Sequence, residues 1–297
     1  MSSDPYGQPS SSKNSAFKSS FKYFKRRKPP PDLGGVLDLR LGRPEEVTVS
    51  QLEQPSAEIS KRFPELGLRP WHQWNLCRLR SNPGLLLATD VFELEAQISW
   101  AFKFGCVYSG APSVTNLSAQ MSREWQDQLM RESSYDYLSK LRWITMGYHY
   151  DWTKKEYRDD LRSAIPDQLS LCSTTIAEAL GFSEFRPEAI LANYYHENST
   201  LSGHVDRSER NLDQPLFSFS FGQSAVYLSG GESLDDEPLP FWLRSGDVLV
   251  MSGQQRLVYH GVPKIVLDRK FASDAVSPLF IDYMNKNRVN VTIRQVN

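Results

Sequence analysis

Eight short segments rich in β-branched and aromatic residues follow Gly181, and Gly, Asp and Pro residues separate them. The segments are AILANYY (189–195), QPLFSFSFG (214–222), AVYLSGG (225–231), PFWL (240–243), DVLVMSG (247–253), RLVYHGV (256–262), LFIDYM (279–284) and RVNVTIRQV (288–296). Such segments are typical of β-strands. Eight strands that follow a helical region predict an α+β protein with a double-stranded β-helix, or jelly-roll, core.

The region before Gly181 has the apolar periodicity of helices. A short apolar strand, GLLLAT, precedes the first helix, and we expect a cap at Thr89 or Asp90 with Glu93 following. The helices are predicted within 84–105, 117–132 and 167–180, and Gly181 ends the last one. We expect these N-terminal helices to pack on one sheet of the jelly roll.

The N-terminal 30 residues contain seven Lys or Arg and one acid, although the whole chain has a net charge of −1. Their Ser, Gly and Pro content predicts a disordered basic arm. The KRRK run suits a nuclear address, and the Ser-containing, acid-poor composition suits a mitochondrial presequence. An arm that lies on phosphates and an ordinary solvated tail are equally compatible with the pattern.

The cysteines and the hydropathy of the chain restrict the cellular compartments in which we expect the protein. Cys77, Cys106 and Cys172 are odd in number and lack CxxC spacing, so neither a disulfide framework nor a zinc site is predicted. No apolar run approaches the roughly 18 residues that a membrane span needs. We therefore expect an intracellular protein without membrane partners, in the nucleus or mitochondrion, and the cytoplasm is also compatible with the sequence.

The stretch SGHVDRSE (202–209) places His204 and Asp206 two positions apart. If it is a strand, both side chains point to the same side, as two ligands of one metal would. The pair alone is weak evidence for a metal site, but His260 follows in another predicted strand. Two His and one carboxylate with open positions are the ligand set of non-haem Fe(II) oxygenases.

The last predicted strand, RVNVTIR, carries Arg288, Asn290 and Arg294 at even positions and apolar residues at odd positions. All three polar side chains therefore face one side. One interpretation places that side in solvent, as alternating strands usually do with charge. The other places both guanidinium groups inside, where their bidentate geometry suits a dicarboxylate.

Taken together, His-x-Asp, a later His and Arg-x5-Arg resemble the pattern of the AlkB family of Fe(II)/2-oxoglutarate dioxygenases. Within this family the sequence is most similar to the eukaryotic homologue 1 group. The similarity lies in LRWITMGYHYDW (141–152), NYYHENSTLSGHVDRSE (193–209), PLFSFSFGQSAVYLSGG (215–231), SGDVLVMSG (245–253) and RVNVTIRQV (288–296). The predicted division of the chain is a disordered basic arm at 1–30 and a helical extension at 31–140, followed at 141–297 by the nucleotide lid and jelly-roll dioxygenase core that the resemblance implies.

Carried over by position, the resemblance implies site residues of three kinds. The implied iron ligands, which are also the catalytic centre, are His204, Asp206 and His260. The residues implied for 2-oxoglutarate are Arg288 with Tyr195 at the distal carboxylate, Arg294 near the proximal carboxylate, and Asn193 and Asn290 in support. Trp143 and Tyr148 are implied to belong to the lid over the nucleotide.

The resemblance also implies the reaction and its partners. With Fe(II), 2-oxoglutarate and O2, such an enzyme demethylates nucleic acid and releases formaldehyde, and 1-methyladenine in tRNA is the expected substrate. The alternatives are oxidation of 5-methylcytosine in tRNA, demethylation of N6-methyladenine in DNA, and a histone substrate. Many repair members of the family have an acid two residues after the iron-binding Asp, but this chain has Ser208 there with Glu209 adjacent. The choice of base therefore stays open.

Overall fold

The computed structural model describes residues 15–41, 47–49, 52–151 and 153–297. The helices are α1 (Ala16–Lys25), α2 (Ala57–Lys61), α3 (Phe63–Leu66), α4 (Leu94–Phe102), α5 (Arg123–Glu132), α6 (Ser134–Lys140), α7 (Asp167–Ala179) and α8 (Pro278–Met284). Short 3-10 turns cover Trp71–Gln73, Asn116–Ala119 and Gly253–Leu257, and a π-helical turn covers Lys103–Val107.

The strands form two antiparallel sheets. They are β1 (Val47–Val49), β2 (Asn75–Leu79), β3 (Leu85–Thr89), β4 (Val114–Thr115), β5 (Trp143–Asp151), β6 (Glu156–Arg162), β7 (Ala189–Tyr195), β8 (Leu201–His204), β9 (Leu216–Gly222), β10 (Ser224–Ser229), β11 (Leu239–Leu243), β12 (Val248–Met251), β13 (His260–Val266) and β14 (Arg288–Arg294).

The major sheet has ten strands in the order β1-β2-β3-β12-β9-β14-β7-β5-β4, with β6 paired to β5 at the side. The minor sheet has four strands in the order β11-β10-β13-β8. Two sheets that face each other and are joined by crossing connections are the jelly-roll arrangement. The predicted α+β, double-stranded β-helix fold is therefore confirmed.

The central strand β14 separates the main core from the space between the sheets. Val289, Val291 and Ile293 pack into the large apolar cluster that also contains residues of α4, α6 and α7. Arg288 and Arg294 point the other way and are buried. The prediction that helices pack on one sheet is confirmed, and the solvent-facing interpretation of these two arginines is wrong. Because helices cover the outer face of this sheet, its apolar side faces them and its polar side faces inward.

The predicted helices at 84–105, 117–132 and 167–180 correspond to α4, α5 and α7. Gly181 follows α7 with φ of 90°, a backbone conformation that glycine adopts without strain. The predicted cap of α4 is wrong. Glu93, rather than Thr89 or Asp90, occupies the N-cap position, because Thr89 still belongs to β3 and Asp90 has a left-handed φ of 59°.

One of the eight predicted strands is a helix. LFIDYM lies in α8, which begins after Ser277, whose hydroxyl accepts a hydrogen bond from the Phe280 amide at 3.3 Å. Pro278 occupies the first turn, where its missing N–H costs nothing. Phe280, Tyr283 and Met284 then bury one face at helical spacing. The capping signals outweigh the β propensity of this apolar run.

The N-terminal segments also depart from the prediction. Residues 31–140, predicted to be helical, contribute β1 to β4 to the major sheet in addition to helices. Residues 16–25, predicted to be disordered, form α1, because Phe17 and Phe24 lie on one face of the helix and are buried against the minor sheet. Residues 1–14 lie outside the described residues, and the division into three parts stays a prediction.

None of the helices in the described ranges is long and apolar enough to cross a membrane.

Candidate active site

A cavity of about 880 Å³ opens between the two sheets. Strands β7, β9 and β14 form one wall, and β8, β10 and β13 form the opposite wall. All ten residues predicted for the site line it: Trp143, Tyr148, Asn193, Tyr195, His204, Asp206, His260, Arg288, Asn290 and Arg294. The fold thus brings together residues that lie up to 151 positions apart in sequence, from Trp143 to Arg294.

His204, Asp206 and His260 form a compact cluster at the minor sheet. One nitrogen or oxygen atom from each lies within 4.8 Å of the other two, the spacing that a shared metal ion requires. His204 Nε2 is 3.9 Å from Asp206 Oδ1, and His260 Nε2 is 3.7 Å from Asp206 Oδ2. β8 ends at His204, so Asp206 reaches the cluster from the segment after the strand rather than from the strand itself. Among the described residues, no other group of three or more His, Cys, Asp or Glu side chains has this spacing.

Backbone carbonyl groups orient both imidazole rings. His204 Nδ1 lies 2.9 Å from the Ser202 carbonyl oxygen, and His260 Nδ1 lies 3.3 Å from that of Val258. Because a carbonyl only accepts, each Nδ1 donates in its contact, and Nε2 is the ring nitrogen that faces Asp206. Burial, reinforced by the neighbouring His204, lowers the pKa of His260 to about 4. The His260 ring is therefore neutral at physiological pH, the state in which imidazole binds metal.

Asp206 is held ionised by the groups around it. Burial by itself raises the pKa of this carboxyl, but the Arg294 guanidinium and the two imidazoles outweigh it and hold the pKa well below its usual value. Arg294 Nη2 donates to Asp206 Oδ2 at 2.9 Å. The cluster therefore offers two imidazole nitrogens and one carboxylate, the donor set that suits Fe(II) with open positions.

Arg288 is a buried cation without an acidic partner. Its side chain is buried among β9, β7 and β14, and its guanidinium donates to Ser220 Oγ at 2.8 Å and to the Gln223 carbonyl at 3.3 Å. No carboxylate of the described residues lies within 4 Å of it, and Arg288 Nε has no hydrogen-bond acceptor. Burial lowers its pKa to about 10, so the group is still charged at neutral pH. Such a group at the wall of a cavity fits an anionic ligand.

The residues around Arg288 follow from strand register. Tyr195 lies directly opposite Arg288 in the β7–β14 pair, and Asn193 lies opposite Asn290. Burial raises the pKa of Tyr195 to about 12, so its phenol stays neutral and can donate a hydrogen bond. Asn290 Nδ2 donates to Ser218 Oγ at 2.7 Å and to the Phe219 carbonyl at 3.0 Å. Tyr195, Asn193 and Asn290 therefore place polar side chains near Arg288 without adding a charge.

The predicted lid residues lie on β5, which belongs to the sheet at its start and to a hairpin at its end. Trp143 is opposite Asn193 in the β5–β7 pair. Tyr148 lies where β5 leaves β7 and pairs with β6, and its hydroxyl accepts a hydrogen bond from Asn297 Nδ2 at 3.2 Å. The Arg162 guanidinium stacks 4.4 Å from the Tyr148 ring centre. Two aromatic rings therefore border the cavity on the side of the hairpin.

Comparison with known proteins agrees with this geometry. The chain matches the profile of the 2OG-Fe(II) oxygenase superfamily over residues 111–294. The human protein named nucleic acid dioxygenase ALKBH1 is 34% identical over 95% of this chain and 84% of its own length. The chain belongs to the 2OG-Fe(II) oxygenase superfamily. The resemblance to the AlkB family and its homologue 1 group is confirmed, and the predicted cofactors Fe(II), 2-oxoglutarate and O2 are those of this superfamily.

Other relatives match shorter parts of the chain. The Arabidopsis thaliana protein named DNA N(6)-methyladenine demethylase ALKBH1A is 40% identical over 54% of this chain and 50% of its own length. The Schizosaccharomyces pombe protein named tRNA demethylase abh1 is 37% identical over 53% of each chain. The solved structure of OsALKBH1 superposes with a TM-score of 0.51 at 23% identity, over 74% of this chain and 99% of that chain. This last similarity supports the fold alone.

Sequence patterns do not identify two buried charged residues of the site. In the sequence Glu209 stands out only as a neighbour of Ser208 and Arg256 carries no motif, yet their side chains form a buried ion pair of 2.9 Å beside the cluster. The available signal was weak: Arg256 precedes the apolar pair Leu257 and Val258 in a predicted strand. A charge in such a context requires a buried partner, but the sequence does not say which one.

Proposed function

We propose that the protein is an Fe(II)- and 2-oxoglutarate-dependent dioxygenase that removes N-methyl groups from nucleic acid, with 1-methyladenine in tRNA as its substrate. The observation that carries this proposal is the pairing of two features across one cavity. The His204, Asp206 and His260 cluster lies on one sheet, and the buried, acid-free Arg288 lies on the other. A metal site that faces an anion site is what chelation of a 2-oxo acid requires.

In this proposal His204, Asp206 and His260 hold the iron, and the remaining groups hold 2-oxoglutarate. Arg288 binds the distal carboxylate through its guanidinium, and the Tyr195 phenol donates a second hydrogen bond. Arg294 lies near the carboxylate at the metal end while it also holds Asp206. Asn193 and Asn290 border the co-substrate from the same wall.

When bound together, Fe(II), 2-oxoglutarate and O2 supply the oxidation of an N-methyl group, whose hydroxylated product releases formaldehyde. The protein's own contribution is placement and exclusion of water. The methylated base must leave its stack to enter a cavity that lies between two sheets. Trp143, on the part of β5 that pairs with β7, and Tyr148, where the hairpin begins, line the cavity and can stack on the extruded base.

The relatives support nucleic acid as the substrate class. Their names include a nucleic acid dioxygenase from human, a tRNA demethylase from fission yeast and a DNA demethylase from Arabidopsis. The last name makes demethylation of N6-methyladenine in DNA the second candidate, and oxidation of 5-methylcytosine in tRNA remains an alternative from the sequence. The names give no support to the histone substrate. The nuclear or mitochondrial compartment stays a prediction from the composition of residues 1–30.

The test is mass spectrometry of an RNA stem-loop that carries 1-methyladenine, incubated with and without Fe(II) and 2-oxoglutarate. We expect methyl loss that requires both additions and is absent in Asp206→Ala. Asp213→Ala is a matched control, because Asp213 is an exposed acid in the same region. Succinate formation without methyl loss would retain the iron chemistry and exclude this base. Absence of both would overturn the proposal.

A further inference from the structure

Four charged side chains of alternating sign, of which three are buried and Asp206 is partly buried, lie in a row that ends at the metal-binding cluster. Arg256 Nη2 lies 2.9 Å from Glu209 Oε2, and Glu209 Oε1 lies 3.0 Å from Arg294 Nε. Arg294 Nη2 in turn lies 2.9 Å from Asp206 Oδ2. The Arg256 and Glu209 side chains are only 1% and 2% exposed.

The hairpin β5–β6 contacts the same segment. The Tyr157 hydroxyl on β6 donates to Glu209 Oε1 at 3.4 Å, and the Tyr150 hydroxyl on β5 lies 3.1 Å from Ser208 Oγ. Tyr150 and Tyr157 are partners across the hairpin, with ring centres 5.3 Å apart. Ser208 and Glu209, which follow Asp206 closely in the chain, therefore hold the hairpin that borders the cavity.

Glu209 is the member on which these contacts converge. Each of its carboxylate oxygens lies within 3.0 Å of an arginine nitrogen, and its side chain is almost fully buried. The charge of this acid is therefore balanced inside the protein, where its oxygens contact Arg256, Arg294 and Tyr157. It thereby holds Arg294, which otherwise has only Asp206 as an acidic partner within 4 Å among the described residues.

We propose that Glu209 is a positioning residue that fixes Arg294 against Asp206 and joins the β5–β6 hairpin to the metal-binding cluster. The inference rests on the proposed function and deepens it, because it assigns the acid next to the site to geometry rather than to base recognition. Partners that orient the ligands of a metal typically change metal affinity about 10- to 100-fold when removed. Glu209 acts through Arg294, so its loss is expected in that range.

The experiment must separate positioning from simple stability. Glu209→Gln leaves Arg256 as an unpaired buried cation and destabilises the fold, since breaking a buried ion pair leaves an uncompensated charge. The double variant Glu209→Leu/Arg256→Met replaces the same pair by apolar groups, which often restores stability. Neither variant has the Glu209 carboxylate beside Arg294, which then keeps Asp206 as its acidic partner. The full-length chain is used in each case.

The readouts are calorimetric titration with Mn²⁺ alone and amide hydrogen exchange of residues 143–162. We expect both variants to bind Mn²⁺ about 10- to 100-fold more weakly than the wild type, and to exchange the hairpin amides faster. The matched control is Asp247→Asn, which removes a buried carboxylate bonded to Arg40 at 2.6 Å, away from the cavity lining. We expect this control to retain Mn²⁺ affinity.

The outcomes are distinct. Recovery of wild-type Mn²⁺ affinity in the stable double variant would overturn the proposal, because it would reduce Glu209 to a structural role. Equal loss of affinity in Asp247→Asn would overturn it as well. A wild-type protein that binds Mn²⁺ but makes no succinate from 2-oxoglutarate would defeat the proposed function instead. The comparison of Mn²⁺ affinities would remain valid in that case.

Discussion

His204 and His260 are directly opposed across the antiparallel strands β8 and β13, and their ring centres lie 4.3 Å apart. Sheet register therefore brings the two imidazoles together, whereas Asp206 joins them from the segment after β8. The pair does not depend on a flexible loop. Side chains that are held in place in this way would lose less entropy on binding a metal than mobile ones.

Removal of His260 should abolish the metal site without loss of the fold. We expect His260→Ala to weaken Mn²⁺ binding by more than about 100-fold, since the effect of losing a ligand should exceed that of losing a residue behind a ligand. Calorimetry of the full-length chain measures this change. His72→Ala is the matched control, because His72 is exposed and lies outside the cavity. Retained affinity in His260→Ala would contradict the assignment.

The two arginines of β14 should respond in opposite ways to neutralisation. Arg288 has no acidic group within 4 Å among the described residues, so Arg288→Gln removes a buried charge that no ion pair offsets and should leave the unfolding free energy unchanged or raise it by about 1–3 kcal/mol. The same variant should lose affinity for 2-oxoglutarate. Arg294→Gln breaks contacts with Asp206 and Glu209 and should cost about 3–5 kcal/mol.

Denaturant unfolding without added metal measures both stabilities, and calorimetric titration with 2-oxoglutarate in the presence of Mn²⁺ measures binding. A strongly destabilised Arg288→Gln would show that the hydrogen bonds to Ser220 and Gln223, together with the Asp247 charge, outweigh the cost of burying this guanidinium. Unchanged 2-oxoglutarate affinity in Arg288→Gln would remove the proposed anion site.

Helix α1 should stabilise the strand that carries His204. Phe17 is buried against the backbone of Gly203, where an added Cβ would lie 2.4 Å from the Phe17 ring. We expect Phe17→Ala to lower the unfolding free energy by about 3–5 kcal/mol. Gly203→Ala should also destabilise the protein, through the clash. The double variant should be more stable than the sum of the two single changes predicts, because the smaller side chain removes the clash.

Thermal and denaturant unfolding of the four proteins complete this double-mutant cycle. Lys25→Ala is a suitable control, since Lys25 is an exposed residue of the same helix. Strict additivity of Phe17→Ala and Gly203→Ala would show that the two residues do not contact each other.

The cysteine thiols should be slow to alkylate in the folded protein. Burial raises the pKa of Cys77 to about 11 and that of Cys106 to about 12, and Cys172 is also buried with a raised pKa. Because the thiolate is the reactive form, the rate at pH 8 should be roughly 100-fold or more below that of the unfolded chain. Iodoacetamide labelling followed by mass spectrometry, with and without denaturant, measures this ratio.

The same raised pKa values affect stability at alkaline pH. A thiol whose folded pKa exceeds its unfolded value of roughly 8.5 contributes stability that is fully present below that value. The contribution is lost as pH rises through about 11 to 12, the folded values of Cys77 and Cys106. Rapid labelling of all three thiols at pH 8 in the folded state would contradict both expectations.

Local patterns predicted much of the jelly roll, because the preference for a strand or a turn depends on a few neighbouring residues. β7 occupies the whole predicted segment 189–195, and β14 begins at the predicted residue 288. α8 is the failure, because its apolar run suits a strand or a helix and the cap at Ser277 decides between them. The disorder predicted for α1 failed for another reason. The buried face of that helix needs a sheet that lies about 180 positions later in the chain, at Gly203.

By itself, the sequence determined the residue types of the candidate site and their spacing: His-x-Asp, a later His and two arginines six positions apart. Those are local facts of one strand or one turn. Only the tertiary structure decided that the arginines face inward, since helices on the outer side of the major sheet take its apolar face. It alone paired Glu209 with Arg256 and Arg294, because a buried charge selects its partner by proximity in space and not by distance along the chain.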